Sequence, residues 1–249
     1  MLVNGALVEP RGPVHAIPAH RKILVLLVFV AAVVITPREV LWAFAVHGVI
    51  VTTVIVAAHI PVGHVVRRLT IEVPFVLFAV LLPFVGPSPT VDVLGLALSH
   101  QGLWAAWGII ARSTLCLAAA ILVASTTSVA ELVAGFERLR VPRSITGIIA
   151  FMSRYGDVLA GDLQRMRVAR MSRGDRSRWW WQAGGVAATA GTLFVRAFER
   201  GERVHLAMRA RGYAGAMPTF RSTATNDTRF VVLPAIAAMA VAMTALALR

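Results

Sequence analysis

The chain has 249 residues, 57% of them hydrophobic and only 15% charged, with a mean hydropathy of +0.73. A soluble domain sits near 45–50% apolar and about 25% charged, and a disordered chain is poor in apolar residues, so the composition argues against both classes. The net charge of +13 is uneven: residues 138–221 hold sixteen of the 25 basic residues and five of the 12 acidic ones, and Lys22 is the only lysine.

Residues 1–22, with Pro10, Pro13 and Pro18, read as an extended amino-terminal arm. Ile23–Thr36 is free of charge and reads as a first membrane span, short for the ~20 residues a crossing needs. A signal peptide is the rival reading, since Arg21 and Lys22 precede the run. No small-x-small cleavage site follows and apolar segments continue at once, which favours a retained span. Val40–Ile60 is the second span. Ile71–Val85 is the third, carrying Pro74 and Pro83, and Gly86-Pro87-Ser88-Pro89 breaks it. Gly102–Ala124 is the fourth, with Arg112 inside, and Phe230–Leu248 is the last. The expected fold is an all-α polytopic membrane protein of five to six transmembrane helices plus long amphipathic cytoplasmic helices. In domains, it divides into the arm 1–22, helices 23–124, a basic region 125–228 and a final span in 229–249.

Charge sets the orientation. His20, Arg21 and Lys22 flank the first span, Arg67 and Arg68 follow the second, and residues 87–101 contain no Lys or Arg. The positive-inside rule then places the amino terminus, the Arg67/Arg68 loop and the basic region in the cytoplasm, with Arg38 as an exception. Five spans leave the carboxyl terminus outside; a sixth hidden in 144–160 or 182–198 would reverse that.

The basic region is helical without being a plain span. Ser128 with Glu131 forms a capping box, and Pro142 ends the helix that follows. A second helix is predicted from Ser144 to Arg173, stopped at Gly174, and a third from Trp180 to Arg211, stopped at Gly212. In the third, Leu193, Ala197, Gly201, Val204 and Met208 recur at spacings of three and four, one apolar-to-small face. Arg196, Arg200 and Arg203 fall on other faces. Ala183, Ala187 and Gly191 form a small-xxx-small row that admits a close neighbour helix. Glu199 and Arg203, at i and i+4, read as a helix-supporting pair.

The two long helices end alike. One closes on Arg165-Met166-Arg167-Val168-Ala169-Arg170-Met171-Ser172-Arg173-Gly174, the other on Ala207-Met208-Arg209-Ala210-Arg211-Gly212-Tyr213. Arginine near a helix carboxyl terminus complements the dipole, and glycine supplies the left-handed cap. Two ordinary C-caps on basic helices would look the same; the duplication points to a docking surface.

Here the sequence resembles the T component (EcfT) of energy-coupling factor transporters, and most closely the cobalt-type CbiQ family. The resemblance rests on Ala169-Arg170-Met171, on Ala210-Arg211-Gly212 and on the run from Phe194 to Met208. Val141-Pro142-Arg143 and Arg154-Tyr155 also match. It covers nearly the whole chain, and residues 194–213 are its specific part. It implies a multi-pass scaffold in the cytoplasmic membrane that is no enzyme and needs no cofactor. Two cytoplasmic ABC ATPase subunits would dock on the helix ends, through motif arginines paired with their acidic residues. A separate membrane S component would capture the substrate, cobalt or another divalent metal, with a vitamin as the alternative. The docking residues implied are Ala169, Arg170, Met171, Arg173 and Gly174, with Ala210, Arg211 and Gly212. The first motif departs from the Ala-Arg-Gly pattern, so Arg170 is favoured there and Arg173 is the second choice.

Other chemistries find little support. With Lys22 followed by Ile23, no Walker A loop G-x-x-x-x-G-K-[ST] exists. Cys116 is the only cysteine, so neither an internal disulfide nor a thiolate cluster is possible. The seven histidines are scattered and H-E-x-x-H is absent. No nucleophile–base set supports an enzyme site, and the basic residues flank apolar helices rather than forming a nucleic-acid face. A membrane enzyme or anchor with a basic cytoplasmic domain is the alternative from another class. Arg112 and Asp92, near membrane depth, are functional candidates, although an Arg112 that snorkels or lies on a protein-facing side is the preferred reading. Trp179-Trp180-Trp181, after Arg176 and Arg178, reads as an anchor at the lipid interface.

Overall fold

A computed structural model describes residues 14–15, 17–85, 90–93, 96–174, 183–213, 215 and 229–247. Residues 1–13 of the arm, the Gly86–Pro89 break, the tryptophans 179–181 and the predicted helix start at Trp180 lie outside them. The described chain is helical apart from one short ribbon. The helices are α1 (Ala19–Ile35), α2 (Leu41–Ala57), α3 (Val62–Leu69), α4 (Val73–Val85), α5 (His100–Thr126), α6 (Val129–Arg138), α7 (Arg143–Ser172), α8 (Ala183–Ala210) and α9 (Arg229–Ala247), with a single 3-10 turn at Thr70–Glu72 before α4. The ribbon, β1 (Thr90–Val93) antiparallel to β2 (Leu96–Ser99), departs from the all-α expectation and pairs Thr90 with Ser99. It places Asp92 opposite Ala97.

The chain divides into two compact units, Ala6–Gly135 with Ser222–Arg249, and Phe136–Arg221. In the first, α1 packs on α5 and α9, α2 on α5 and α9, and α4 on α5. Its core includes Phe29, Val33, Phe44, Val51, Ala118 and Ala238. Many helix contacts use alanine, which lets backbones approach closely where lipid-like side chains give no net drive to associate. Among the described residues α5 is the one helix both long and apolar enough to cross a bilayer; α2 and the Leu233–Ala245 part of α9 are shorter apolar helices. On α4, Phe75, Leu77 and Phe78 stay 62%, 64% and 60% exposed, a surface that water would not tolerate as a continuous patch.

Two cations of this unit close helix ends. Arg112 donates through a guanidinium nitrogen to the Thr36 carbonyl, 2.8 Å away, at the carboxyl end of α1. It therefore faces protein and satisfies a carbonyl that the helix itself leaves open. Lys22 is buried and donates to the Thr126 carbonyl at 2.8 Å and to Thr127 Oγ1 at 3.2 Å, closing the end of α5 in the same way. The capping box forms as expected: the Ser128 N–H donates to Glu131 Oε2 at 2.8 Å, and the Glu131 N–H to Ser128 Oγ at 3.3 Å. Glu72, a buried carboxylate the sequence reading passed over, accepts from Ser113 Oγ and from Thr114 Oγ1, the latter at 2.9 Å, and so ties the start of α4 to α5.

Candidate docking site at the helix ends

The second unit is built on α7 and α8, which lie antiparallel. Arg170 near the end of α7 donates to Thr189 Oγ1 near the start of α8, 3.1 Å away. Further along, Asp162 pairs with Arg200 at 3.1 Å. Beyond that pair Phe151, Tyr155 and Leu159 of α7 share a cavity of about 380 Å3 with Ala197, Val204 and Met208 of α8. The predicted stripe on α8 is thus the packing face. Two details differ. Arg200, set on another face by the sequence reading, sits within the stripe, because 100° per residue carries it only ~40° from Val204. Gly201 is exposed at the cavity's rim. Ala187 and Gly191 are exposed too, and a Cβ on Gly191 would meet nothing within 4 Å.

Both helices stop where the glycines require. Gly174 has φ +82° and Gly212 φ +84°, left-handed values costly for a residue with a Cβ. The Gly212 N–H donates to the Arg209 carbonyl and the Tyr213 N–H to the Met208 carbonyl, each at 3.0 Å. That is the two-bond Schellman closure. At α7 the matching bond runs from the Gly174 N–H to the Met171 carbonyl at 3.1 Å. Arg173 and Arg211 therefore occupy the same structural position, the cap residue before a left-handed glycine, and both are exposed. Ala169, Met171 and Ala210 are exposed beside them. Arg170 differs: it is half-buried, one turn back, with its guanidinium against α8.

The antiparallel arrangement sends the two motifs to opposite ends of the hairpin. From Thr189, beside Arg170, to Arg211 is twenty-two residues of helix, a rise of about 30 Å. What the ends offer is concentrated positive charge on a rigid mount. A cap arginine can project beyond its helix and present its planar fork to a carboxylate. Glu199 and Arg203 stand 3.9 Å apart on the exposed side, a pair that steadies the helix.

Asp162, which the sequence reading missed, is nearly buried between Arg165 of its own helix and Arg200 of α8. The only signal was its position three residues before Arg165. The Arg165 hydrogen bond holds its carboxyl below the ordinary carboxylate value; burial pushes the other way, and the Arg200 charge adds to the lowering. A carboxylate of lowered pKa contributes stability that is complete above its unfolded value and lost as pH falls through the folded one. The α7–α8 contact is thus expected to hold from pH 8 down to the ordinary aspartate value of about 3.9 and to be lost only in stronger acid. Spin labels at the exposed positions Ile148 and Leu206, in a chain with Cys116 replaced by Ser, would report the spacing. An Asp162→Asn chain should show no such acid transition.

Residues 11–220, which include both helix ends, match the family described as CbiQ, cobalt transport protein. The chain belongs to the CbiQ family of cobalt transport proteins. Individual relatives agree. A cobalt transport protein CbiQ of Rhodobacter capsulatus is 30% identical over 56% of this chain and 54% of its own length. An energy-coupling factor transporter transmembrane protein EcfT of Heliobacterium modesticaldum is 26% identical over 85% and 84%. A putative fused cobalt transport protein CbiMQ of Methanocorpusculum labreanum is 24% identical over 83% and 36%. The matched stretch thus spans about half of the Rhodobacter relative and about a third of the fused one. A transport family places the chain in a membrane, which accounts for the apolar surface of α4.

Proposed function

We propose that this CbiQ-family chain is the multi-pass transmembrane coupling subunit of an energy-coupling factor importer. It catalyses nothing itself. Two cytoplasmic ABC ATPases dock on the ends of α7 and α8, and the hairpin passes their movement to a membrane S component that captures the substrate. The observation that carries this reading is the pair of equivalent cap arginines, Arg173 and Arg211, exposed at opposite ends of one antiparallel hairpin. Two separated basic ends suit two separate acidic grooves. Ala169, Arg170, Met171 and Gly174 complete the α7 site, and Ala210 and Gly212 the α8 site. Arg170 acts at its edge, since it also reaches Thr189. Cobalt is the favoured cargo, because two of the relatives just described are named for cobalt transport. A vitamin carried by a different S component is the second reading; the Heliobacterium relative is named for an energy-coupling factor transporter without a cargo.

The test is reconstitution. Purified alone, the chain should neither bind nor hydrolyse ATP, having no Walker A loop. Co-expressed with its neighbouring ATPases and S component, it should recover both ATPases and support ATP-dependent uptake of radioactive cobalt. Tight ATP binding by the clean isolated chain, or failure to recover any ATPase, overturns the reading.

A further inference from the structure

The contact between α7 and α8 is unusual in what it buries. Among the described residues of α7, only Thr146 and Asp162 are buried; on α8 only Thr189 is. The apolar side chains along the seam are half-exposed and leave the cavity of about 380 Å3 between them. Apolar contact of this kind is non-directional and, with a void in it, tolerates sliding. A close ion pair and a hydrogen bond resist sliding, because both weaken as the groups part. The crossing of the two helices is therefore fixed mainly by Asp162–Arg200 at 3.1 Å and Arg170–Thr189 at 3.1 Å.

The position of the ion pair within each helix is informative. Arg173 lies eleven residues beyond Asp162, and Arg211 lies eleven residues beyond Arg200. Eleven residues make three turns with ~20° left over, so each cap arginine falls on nearly the same helix face as its member of the pair, about 16 Å along the axis. Because the helices are antiparallel, the two arms point in opposite directions. A pair equidistant from both ends and aligned with both is placed where a pivot belongs.

Resting on the coupling role proposed above, we propose that Asp162 and Arg200 are positioning residues that form the fulcrum of the α7–α8 hairpin, fixing its crossing so that displacement at one cap arginine is delivered to the other arm. Arg165 holds the Asp162 carboxylate from its own helix and is 71% exposed; it orients the acid without spanning the joint. Loss of the interhelix pair leaves both docking ends intact and lets the arms slip past one another.

The experiment uses the complete transporter: this chain, both ATPases and the S component in liposomes, with uptake and ATP hydrolysis measured together. Asp162→Asn and Arg200→Gln should keep both ATPases bound and hydrolysis within about twofold of wild type, while uptake per ATP falls about tenfold or more. The double variant should be no worse than either single one, since both remove the same contact. Asp162→Glu should restore part of the coupling, and Arg165→Gln should stay near wild type. The idea is overturned if the variants transport normally, or if hydrolysis, assembly and uptake fall together. It is also overturned if Arg165→Gln uncouples as strongly as Arg200→Gln. A wild-type chain that recovers no ATPase removes the coupling role itself, and this inference with it; a coupled wild type with coupled variants removes the inference alone.

Discussion

Arg211→Glu should release one of the two ATPases and abolish uptake while the chain still inserts and folds. Arg211 is exposed and makes its cap contact through its backbone, the N–H donating to the Met208 carbonyl at 3.0 Å. Changing the side chain therefore leaves the helix closure and the left-handed Gly212 in place. What changes is the group presented to the partner. On the docking proposed above, a guanidinium that would pair with a groove carboxylate becomes a second carboxylate in a partly desolvated site. Breaking such a pair costs about 3–5 kcal/mol, which at 1.4 kcal/mol per tenfold is two orders of magnitude or more in affinity. Arg173→Glu is expected to do the same for the other ATPase, by the equivalence of the two caps. Arg170→Glu should also lose that ATPase, and in addition the Thr189 contact, so its hairpin should be looser than that of Arg173→Glu. Arg196→Glu, exposed on α8 but away from both ends, should change docking by no more than about twofold. Co-purification of tagged ATPases with each variant, followed by uptake, reads all four. Full assembly and uptake by Arg211→Glu and both α7 variants would leave two basic C-caps and no docking role.

The helix ends were legible because their causes are local. A glycine after an arginine-rich last turn, and Ser128 three residues before Glu131, act through neighbours in the chain. The predicted stops at Gly174 and Gly212 and the capping box accordingly stand where the sequence put them. The stripe on α8 is legible from its period, yet Arg200 lies within it rather than on another face, because a carboxylate on α7 meets it there. Its partner Asp162 sits on another helix, and nothing local to Arg200 announces it. The same holds for Lys22 and Arg112. Both looked like residues in or beside a span, and each closes a helix end 104 or 76 residues distant. Caps and faces are set by near neighbours in the chain, whereas the end a distant cation fills is set by the fold. Matching the motif by its alanine favoured Arg170, whereas matching by the left-handed glycine aligns Arg173 with Arg211.

Gly102→Val should prevent stable folding of the first unit. Gly102 lies in the first turn of α5 and is buried; its N–H donates to Ser99 Oγ, the N-cap, at 3.2 Å. A Cβ there would come within 2.6 Å of the Leu82 carbonyl oxygen and 2.7 Å of the Pro83 Cα. Both atoms are backbone, so no side-chain rotation can make room. The approach is this close because α4 carries Pro83 at that point, a residue with no N–H to give and a ring that disrupts the regular helix. Inserting even one methyl must push α4 off α5, and with it the tie from Glu72 to Thr114. Overpacking typically costs about 1–3 kcal/mol, and contact with backbone on both counts puts Gly102→Ala at the upper end. Valine adds a second branch and should prevent stable folding. Gly63→Ala is the matched control in the same unit: a Cβ there meets nothing within 4 Å, and alanine is the better helix former. The measurement is the fraction of monodisperse protein in detergent after a temperature ramp. Gly63→Ala should survive as wild type does or better, Gly102→Ala should lose its midpoint by several degrees, and Gly102→Val should yield aggregate. A Gly102→Val chain as stable as wild type would mean that α4 and α5 do not meet at Pro83.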